Sequence, residues 1–292
     1  DVYKRQKLVI VGLGLMGGSF ALDFRSIYPK SKIYGFDISK ENQKQAMDLG
    51  LVDELIEIEK ISIADVVLVS IPVDKSLLVL PKILNFVSSD TLVFDVGSTK
   101  GPICKVLFDH PKRGNFLATH PMAGTEFSGP NAAVKELYFN KTNILCEKDK
   151  TNSNIYKKAL EIFELLNMNI LHMDADSHDI HVAYVSHLSH ISSFMLGKTV
   201  IEKEKNEKNI FDLAGSGFES TVRLAKSSPD TWTPIFLQNK NNLVVAIDEY
   251  ISNLNDLKEI IKDNNSSSLS LILNNTNRIK EILTNTKIEN EK

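Results

Sequence analysis

The sequence is poor in the features that mark several classes of protein. It has two cysteines in 292 residues, Cys104 and Cys146, and they lie too far apart to form a CxxC motif. The formal net charge is only -3 and no basic stripe is present, which makes nucleic acid a poor candidate partner. No apolar run approaches the ~18 residues that a membrane span requires. These absences argue against a zinc ribbon, a disulfide scaffold, a nucleic-acid binder and a membrane protein.

The composition that remains is that of an ordinary soluble protein, with 42% hydrophobic and 24% charged residues. A chain of this length buries roughly 75% of its unfolded surface, so it needs neither disulfide nor metal to fold. The N-terminal stretch DVYKRQK (1–7) is charged, and no apolar core of signal-peptide length follows it. We therefore expect a cytoplasmic protein.

Short β-branched runs alternate with amphipathic stretches from Lys7 to about Asp149. The runs are almost continuously apolar, which is typical of parallel strands covered by helices on both faces. They are KLVIVGLG (7–14), KIYGFDI (32–38), DVVLVSIP (65–72), TLVFDVGS (91–98), NFLATHP (115–121) and TNILCEK (142–148). This alternation predicts an α/β domain over residues 1–174, a doubly wound, mainly parallel sheet of the Rossmann type.

Strand patterns stop after about Asp174, and helical stretches follow at roughly 177–204, 211–226, 230–263 and 266–285. They predict a second, all-helical domain over residues 175–292. In the first stretch the apolar residues point in every direction, so we expect that helix to be buried inside the domain or in a subunit interface. EKEKNEKN (202–209) reads as a solvated connector.

A glycine-rich turn follows the first predicted strand, in the stretch VIVGLGLMGGSFA. Its G-x-G-x-x-G pattern lies between a strand and a helix, the context in which it binds a dinucleotide. The turn, Gly12, Gly14, Leu15, Met16 and Gly17, is predicted to hold a pyrophosphate at the helix N-terminus. Asp37 ends the second strand, where an acid accepts from ribose hydroxyls and repels a 2′-phosphate, which favours NAD over NADP. The alternative is a structural turn with Asp37 as a loop cap.

Polar side chains follow the other strands at the edge where open α/β sheets bind ligands. Ser70, Ile71 and Pro72 are predicted to form a turn beside the nicotinamide. Ser98 and Lys100, in DVGSTKG, are predicted to lie in the cleft, and His120 ends the next strand. A hydroxyl and an imidazole there can converge on one substrate oxygen. The alternatives are a turn hydroxyl and a hydrogen-bonded strand-end histidine.

The stretch SHDIHVAYVSHLSHI contains four histidines and suggests a metal site, but its spacing argues against one. On a helix, His178 and His181 point away from His187 and His190, so the four cannot bind one ion. No metal is expected. His187 and His190 are predicted to contact a substrate, with a core histidine pair as the alternative.

Arg223 lies in an otherwise small and apolar stretch, GSGFESTVRLAKSS. An arginine in such a position often binds a carboxylate through its planar fork, although a surface or interface salt bridge is the alternative. The single tryptophan, Trp232, is more typical of a core or interface.

Taken with these residues, the chain resembles the prephenate dehydrogenase family, which includes arogenate and cyclohexadienyl dehydrogenases. The resemblance rests on VIVGLGLMGGS, DVGSTK, THPMAGTEFSG, VSHLSH, GFESTVRLAKSSPDTWTPIF and LQNKNN. It implies an NAD-binding Rossmann domain, a helical dimerisation domain, a homodimer, and an active site between the two domains.

The resemblance also implies roles for individual residues. His120 matches the family's catalytic histidine and Ser98 its hydroxyl partner, while Arg223 matches the arginine that binds a substrate carboxylate. Thr125, Glu126, His187 and His190 match residues that line the substrate pocket. Ser220 departs from relatives that carry an acid there, so an acid–arginine gate at that position is not expected.

The expected reaction is the oxidative decarboxylation of prephenate to 4-hydroxyphenylpyruvate in tyrosine biosynthesis, with NAD as the oxidant and His120 as the base. Arogenate is the alternative substrate. A β-hydroxyacid or 6-phosphogluconate-type dehydrogenase is a weaker alternative, because that class uses a lysine base in the first helix of the second domain, where this chain carries His187 and His190. A third alternative is a protein that senses NAD without catalysing a reaction.

Overall fold

The computed structural model describes residues 6–207 and 209–290, with side chains described up to 284. The N-terminal residues 1–5, on which most of the signal-peptide prediction rests, lie outside the described residues. The chain divides into two compact units between Lys240 and Asn241. No described helix is long and apolar enough to cross a membrane.

The first unit is built on one sheet, to which eight strands contribute within the described residues. They are β1 (Lys7–Val11), β2 (Lys32–Phe36), β3 (Glu54–Leu55), β4 (Val66–Val69), β5 (Leu92–Asp95), β6 (Phe116–Pro121), β7 (Thr142–Cys146) and β8 (Asn169–Met173). The spatial order is β3-β2-β1-β4-β5-β6-β7-β8, and every pair is parallel except β6–β7. The order reverses between β1 and β4, so ligands are expected at the carboxyl ends of those strands.

Helices cover both faces of this sheet because its strands are apolar on both sides. The helices of this part are α1 (Leu15–Ile27), α2 (Lys40–Asp48), α3 (Val73–Phe86), α4 (Gly101–Val106) and α5 (Ser153–Leu165). In β4, Val66 and Leu68 pack into one core cluster and Val67 and Val69 into the other. The alternation of one strand between two cores explains the continuous apolar run in the sequence.

The fold class is confirmed, and the sequence missed two strands. All six predicted runs form strands, whereas β3 and β8 were not predicted. β3 has only two residues, both exposed. β8 lies at the edge of the sheet and exposes Leu171 and His172, so it contains no run buried on both faces.

The helical stretches are present but divided more finely than the sequence predicts. The stretch 177–204 corresponds to α6 (Ala175–Val182), a π-helical turn (Ala183–His187) and α7 (Leu188–Glu204). The remaining helices are α8 (Ser216–Val222), α9 (Pro229–Gln238), α10 (Lys240–Lys262), α11 (Ser266–Thr276) and α12 (Ile279–Asn290). The predicted continuous helix 230–263 is therefore wrong. It breaks at Asn239, whose side chain is buried and hydrogen-bonded within the first unit.

The first long helix is not buried on all sides within the single chain, so burial inside the domain is wrong for part of it and burial in a subunit interface stays a prediction. The segment around His178 and His187 is buried, but Val185, Met195 and Ile201 are exposed. A periodicity argument cannot distinguish burial within a chain from burial between chains. The predicted boundary between residues 174 and 175 falls at the start of α6, whereas the compact units divide after Lys240, so that boundary stays a prediction.

Candidate active site

The glycine-rich turn joins β1 to α1. Gly12 has φ of +99°, a left-handed conformation that favours glycine. A Cβ on Gly17 would lie 2.1 Å from the Gly12 carbonyl oxygen, so only glycine permits this packing. A Cβ on Gly14 would meet nothing within 4 Å, and Gly14 precedes Leu15 and Met16, the first residues of α1. The turn thus offers open backbone at the N-terminus of a helix, where phosphate groups bind.

Asp37 lies against this turn at the end of β2. Its Oδ2 accepts the Leu13 N–H at 2.9 Å and its Oδ1 accepts the Ser39 N–H at 2.8 Å. The carboxylate therefore holds the glycine-rich turn in place, as the loop-cap interpretation expects. Its contact with a ribose stays a prediction.

The turn after β4 supports the glycine-rich turn from the other side. The Ser70 hydroxyl donates to the Gly12 carbonyl at 2.8 Å. Ile71 follows, and Pro72 precedes the first residue of α3. Since β4 pairs with β1 at the point where the strand order reverses, Ser70, Ile71 and Pro72 border the expected dinucleotide crevice. Their contact with nicotinamide stays a prediction.

His120 lies at the end of β6 and is 7% exposed. Burial lowers its pKa well below 6.5, and the nearby His178, Lys100 and His187 lower it further. The imidazole is therefore neutral at neutral pH and able to accept a proton. Ser98 is half-buried in the loop after β5, the strand that pairs with β6. In the described part of the chain, no hydrogen bond joins Ser98 to His120.

Lys100 does not lie in the cleft, so that prediction is wrong. The side chain is fully buried, where its ammonium pairs with Asp95 and donates to the Thr119 carbonyl at 2.7 Å. These bonds join the end of β5 to β6, immediately before His120. A buried ammonium requires a counter-charge, and Asp95, on β5, supplies it here.

Two residues that the sequence did not single out for this site contact or support His120. The His120 Nδ1 and His178 Nε2 atoms are 2.8 Å apart, and His178 Nδ1 is 2.8 Å from Asp179 Oδ1. The Asp179 carboxylate also accepts the Lys100 and Gly101 amides at 2.8 and 2.9 Å. The sequence does place His178 beside Asp179, in SHDIH, but the histidines of this stretch were considered only as possible metal ligands or substrate contacts.

His187 and His190 lie around Trp232 in different environments. The His190 ring stacks on Trp232, with centroids 3.4 Å apart, and the ring is partly buried. His187 is fully buried and its Nδ1 is 3.1 Å from the Asn239 side chain. Its Nε2 has no hydrogen-bond partner among the described residues. Substrate contact remains a prediction for both, and full burial does not favour it for His187.

Arg223 and Glu126 form an ion pair at 3.2 Å. Arg223 begins a short 3₁₀ turn after α8 and its side chain is 52% exposed, so it remains open to another carboxylate. Burial lowers the pKa of His190, and the Arg223 charge lowers it further, which places these two groups near one another. Thr125 is exposed beside Glu126, and its hydroxyl accepts the Phe127 N–H at 3.2 Å.

Within the described ranges, no group of three or more His, Cys, Asp or Glu side chains is arranged to hold an ion. His178 faces His120, whereas His187 faces Trp232 and Asn239. The arrangement instead combines a phosphate-binding turn, a neutral imidazole and a half-exposed arginine.

Comparison with known proteins gives two family matches that cover most of the chain. The family model described as "Prephenate dehydrogenase, nucleotide-binding domain" matches residues 20–172. The model described as "Prephenate dehydrogenase, dimerization domain" matches residues 174–275.

Individual relatives agree with these matches. Prephenate dehydrogenase of Bacillus subtilis is 29% identical over 278 residues, 91% of this chain and 72% of the relative. The solved structure of prephenate dehydrogenase from A. aeolicus, in complex with hydroxyphenyl propionate and NAD+, is 36% identical with a TM-score of 0.88, covering 97% of this chain and 100% of that one. Arogenate dehydrogenase of Synechocystis is 26% identical with a TM-score of 0.74, covering 95% and 99%.

Proposed function

This chain belongs to the prephenate dehydrogenase family, and from that premise we propose that it catalyses the oxidative decarboxylation of prephenate to 4-hydroxyphenylpyruvate with NAD as oxidant. The observation that carries the proposal is the neutral, slightly exposed His120 at the carboxyl edge of the sheet that carries the glycine-rich turn. NAD, when bound, supplies the hydride acceptor.

The residues at the strand ends fit a dinucleotide. The open space above Gly14 gives a pyrophosphate access to the backbone at the start of α1. Gly17 has no Cβ, which would lie 2.1 Å from the Gly12 carbonyl oxygen, so this helix end can pack against the turn. Asp37 supports NAD in preference to NADP because a carboxylate at the end of β2 repels a 2′-phosphate. Its hydrogen bond to the Leu13 amide keeps that charge next to the turn.

His120 would act first as a base and then as an acid for the same proton, that of the substrate hydroxyl. As hydride departs from the ring carbon, the imidazole accepts the proton of the hydroxyl on that carbon, forming a carbonyl. Loss of the ring carboxylate as carbon dioxide moves its electron pair into the ring and onto this oxygen. The oxygen then takes the proton back from His120, so the phenol forms with no net proton released. Aromatisation supplies the driving force, and the protein contributes orientation and one base.

Arg223 would bind a substrate carboxylate by exchanging its bond to Glu126. The pair is exposed enough to exchange, since an ion pair of this kind contributes about 0–1 kcal/mol. Before the substrate binds, Glu126 would hold the guanidinium in position, and it would release Arg223 to the substrate carboxylate. Ser98 would orient the reacting hydroxyl towards His120. Thr125 and His190 would line the substrate pocket beside Glu126 and Arg223.

A homodimer is part of the proposal. The match to a dimerisation domain over residues 174–275 supports it, as do exposed apolar side chains such as Met195 on α7 and Val245 and Leu254 on α10.

Cytoplasmic location is supported by the two cysteines, which are free and buried. Burial raises the pKa of Cys104 to about 12, so that thiol is protonated and unreactive.

Arogenate is a second candidate substrate, favoured by the similarity to the Synechocystis arogenate dehydrogenase. The two substrates share the ring on which His120 would act and differ only in an amine or keto group on the side chain. The same residues therefore serve either, and the ratio of kcat/KM for the two substrates decides between them.

The test is NADH formation with prephenate and with arogenate, each offered with NAD and with NADP. His120→Asn should lower kcat by roughly 10²–10⁴ while NAD binding persists. His181→Asn serves as the matched control, because His181 is exposed on α6. A His120→Asn enzyme that keeps most of its turnover would remove His120 from the base role, and absence of NADH with both substrates would refute the proposed activity.

A further inference from the structure

A buried line of three side chains leads away from His120. His120 Nδ1 contacts His178 Nε2, and His178 Nδ1 contacts Asp179 Oδ1, each at 2.8 Å. His178 is fully buried, and Asp179 is 5% exposed. We infer that Asp179 and His178 are positioning residues that fix the tautomer of His120, so that its Nε2 is the unprotonated atom facing the substrate. This inference rests on the proposed function only for its kinetic consequence.

The direction of every hydrogen bond in the line follows from Asp179. A carboxylate only accepts, and this one already accepts the backbone N–H groups of Lys100 and Gly101. His178 must therefore donate through Nδ1–H, and a neutral His178 then has a lone pair at Nε2. His120 must donate its own Nδ1–H into that lone pair. A neutral His120 then keeps its remaining lone pair at Nε2.

The nitrogen with the free lone pair is the one that the interior hydrogen bond does not occupy. Within the residues that the structure describes, His120 Nε2 makes no hydrogen bond, while Nδ1 is held in the interior by His178. Nε2 is therefore the ring nitrogen that is left to accept a substrate proton. The opposite tautomer would present an N–H to the substrate hydroxyl and could not act as a base.

The surroundings hold Asp179 in one orientation. Its carboxylate receives two backbone amides from the loop after β5, and its own carbonyl accepts from the Asn239 side chain at 2.7 Å. Asn239 also contacts His187 Nδ1. The two backbone amides act on the carboxylate itself and the Asn239 bond holds the Asp179 backbone, so the carboxylate has little freedom to turn away from His178.

The line also has a part in the chemistry. When His120 takes the substrate proton, its ring becomes positively charged in a buried site. The Nδ1 proton can then move towards His178, whose ring pairs with the Asp179 carboxylate. The positive charge then lies on His178, next to the Asp179 carboxylate. When the phenol oxygen takes its proton back from His120, the Nδ1 proton returns to His120 and both rings are neutral again.

Asp179→Asn is the decisive variant. An amide whose nitrogen takes the place of Oδ1 donates to His178 Nδ1, while its oxygen accepts the Gly101 N–H and the Lys100 N–H loses its acceptor. His178 then carries its proton on Nε2, and His120 is forced to carry its own on the substrate-facing Nε2. A carboxylate-to-amide change that reverses a histidine tautomer in this way lowers kcat by on the order of 10⁴ in serine protease triads. We expect a fall in kcat of about 10²–10⁴ with the KM for prephenate and the Kd for NAD nearly unchanged.

The tautomer of His120 is the measurement that distinguishes this positioning role from a purely structural one. Nitrogen-15 spectra of ring-labelled histidine, assigned with His120→Asn, report which nitrogen carries the proton. We expect Nδ1–H for His120 in the wild type and Nε2–H in Asp179→Asn. Asp176→Asn is the matched control, because Asp176 is an exposed acid on the same helix and makes no hydrogen bond to His178 within the described residues. It should change neither the spectrum nor kcat.

A second pair of variants covers the case in which Asp179→Asn does not fold. His178→Gln keeps an oxygen that accepts the His120 Nδ1–H, whereas His178→Phe has no acceptor. The inference expects kcat to decrease from wild type to His178→Gln to His178→Phe. Equal kcat in the two variants, or a wild-type His120 protonated at Nε2, would overturn it. A fall in kcat for Asp179→Asn with an unchanged tautomer would also overturn it. A wild type inactive with prephenate and arogenate refutes the proposed function alone, because the spectrum tests the tautomer without a substrate.

Discussion

The buried imidazole of His187 makes a measurable prediction about stability and pH. The ring is fully buried and packs edge-on against Trp232 and Phe236. Burial lowers the pKa of His187 from 6.5 to about 4, and the neighbouring His178 and His190 lower it as well, against an opposing effect of Asp179. The folded protein therefore keeps this ring neutral at a pH where the unfolded chain already binds a proton.

The sign follows from that difference in proton binding. As the pH falls below 6.5 the unfolded state takes up the proton first, so the free energy of unfolding decreases until the pH reaches the folded-state pKa of about 4. One pKa unit corresponds to about 1.4 kcal/mol, so the full loss is about 3 kcal/mol. At about pH 5 the loss relative to about pH 7.5 is about 2 kcal/mol.

Urea denaturation of the wild type and of His187→Gln, at both pH values and one protein concentration, measures this quantity. Glutamine does not titrate, so the variant should lose about 2 kcal/mol less than the wild type between the two pH values. His181→Gln, at an exposed position on α6, is the control and should follow the wild type. If His187→Gln retained the full wild-type dependence on pH, the ring would titrate normally and the buried-neutral account would be refuted.

Four further substitutions test three separate parts of the structure. Gly17→Ala places a Cβ 2.1 Å from a backbone oxygen, so we expect a lower Tm and weaker NAD binding. Gly14→Ala places its Cβ in open space, so the Tm should not change. The same Cβ would stand where the pyrophosphate approaches, and NAD binding should weaken by about tenfold or more, about 1.4 kcal/mol. Lys100→Met leaves the Asp95 carboxylate buried without its counter-ion and should lower the free energy of unfolding by about 3–5 kcal/mol in urea. Arg223→Ala should raise the KM for prephenate roughly 30-fold, about 2 kcal/mol, with kcat little changed.

Each of these has a control and a contrary result. Unchanged NAD affinity in Gly14→Ala would mean that the pyrophosphate does not approach that backbone. Lys105→Met, at an exposed position on α4, should change stability by less than about 0.5 kcal/mol, and a comparable loss there would show that charge removal alone explains the effect. Glu126→Gln keeps the guanidinium, so its KM should not rise. An unchanged KM in Arg223→Ala would place carboxylate binding elsewhere.

Most of the sheet could be predicted because its signals are local. A strand buried on both faces must be apolar at every position, and β4, with Val66 to Val69 all buried, has that run. The edge strand β8 could not be predicted in this way, since exposed Leu171 and His172 carry no comparable pattern. Helix ends were missed for a similar reason. The break at Asn239 depends on the buried partners of its side chain, which belong to a distant part of the chain.

The sequence by itself determined six of the eight strands described, the glycine-rich turn and the position of His120 at a strand end, because each follows from residue spacing within one segment. Only the tertiary structure decided which groups face that histidine. It buried Lys100 against Asp95, joined Arg223 to Glu126, and brought His178 with Asp179 behind His120. The physical reason is distance along the chain. A buried charge or ring nitrogen takes whichever partner the packing of remote segments delivers, and no local pattern records that partner.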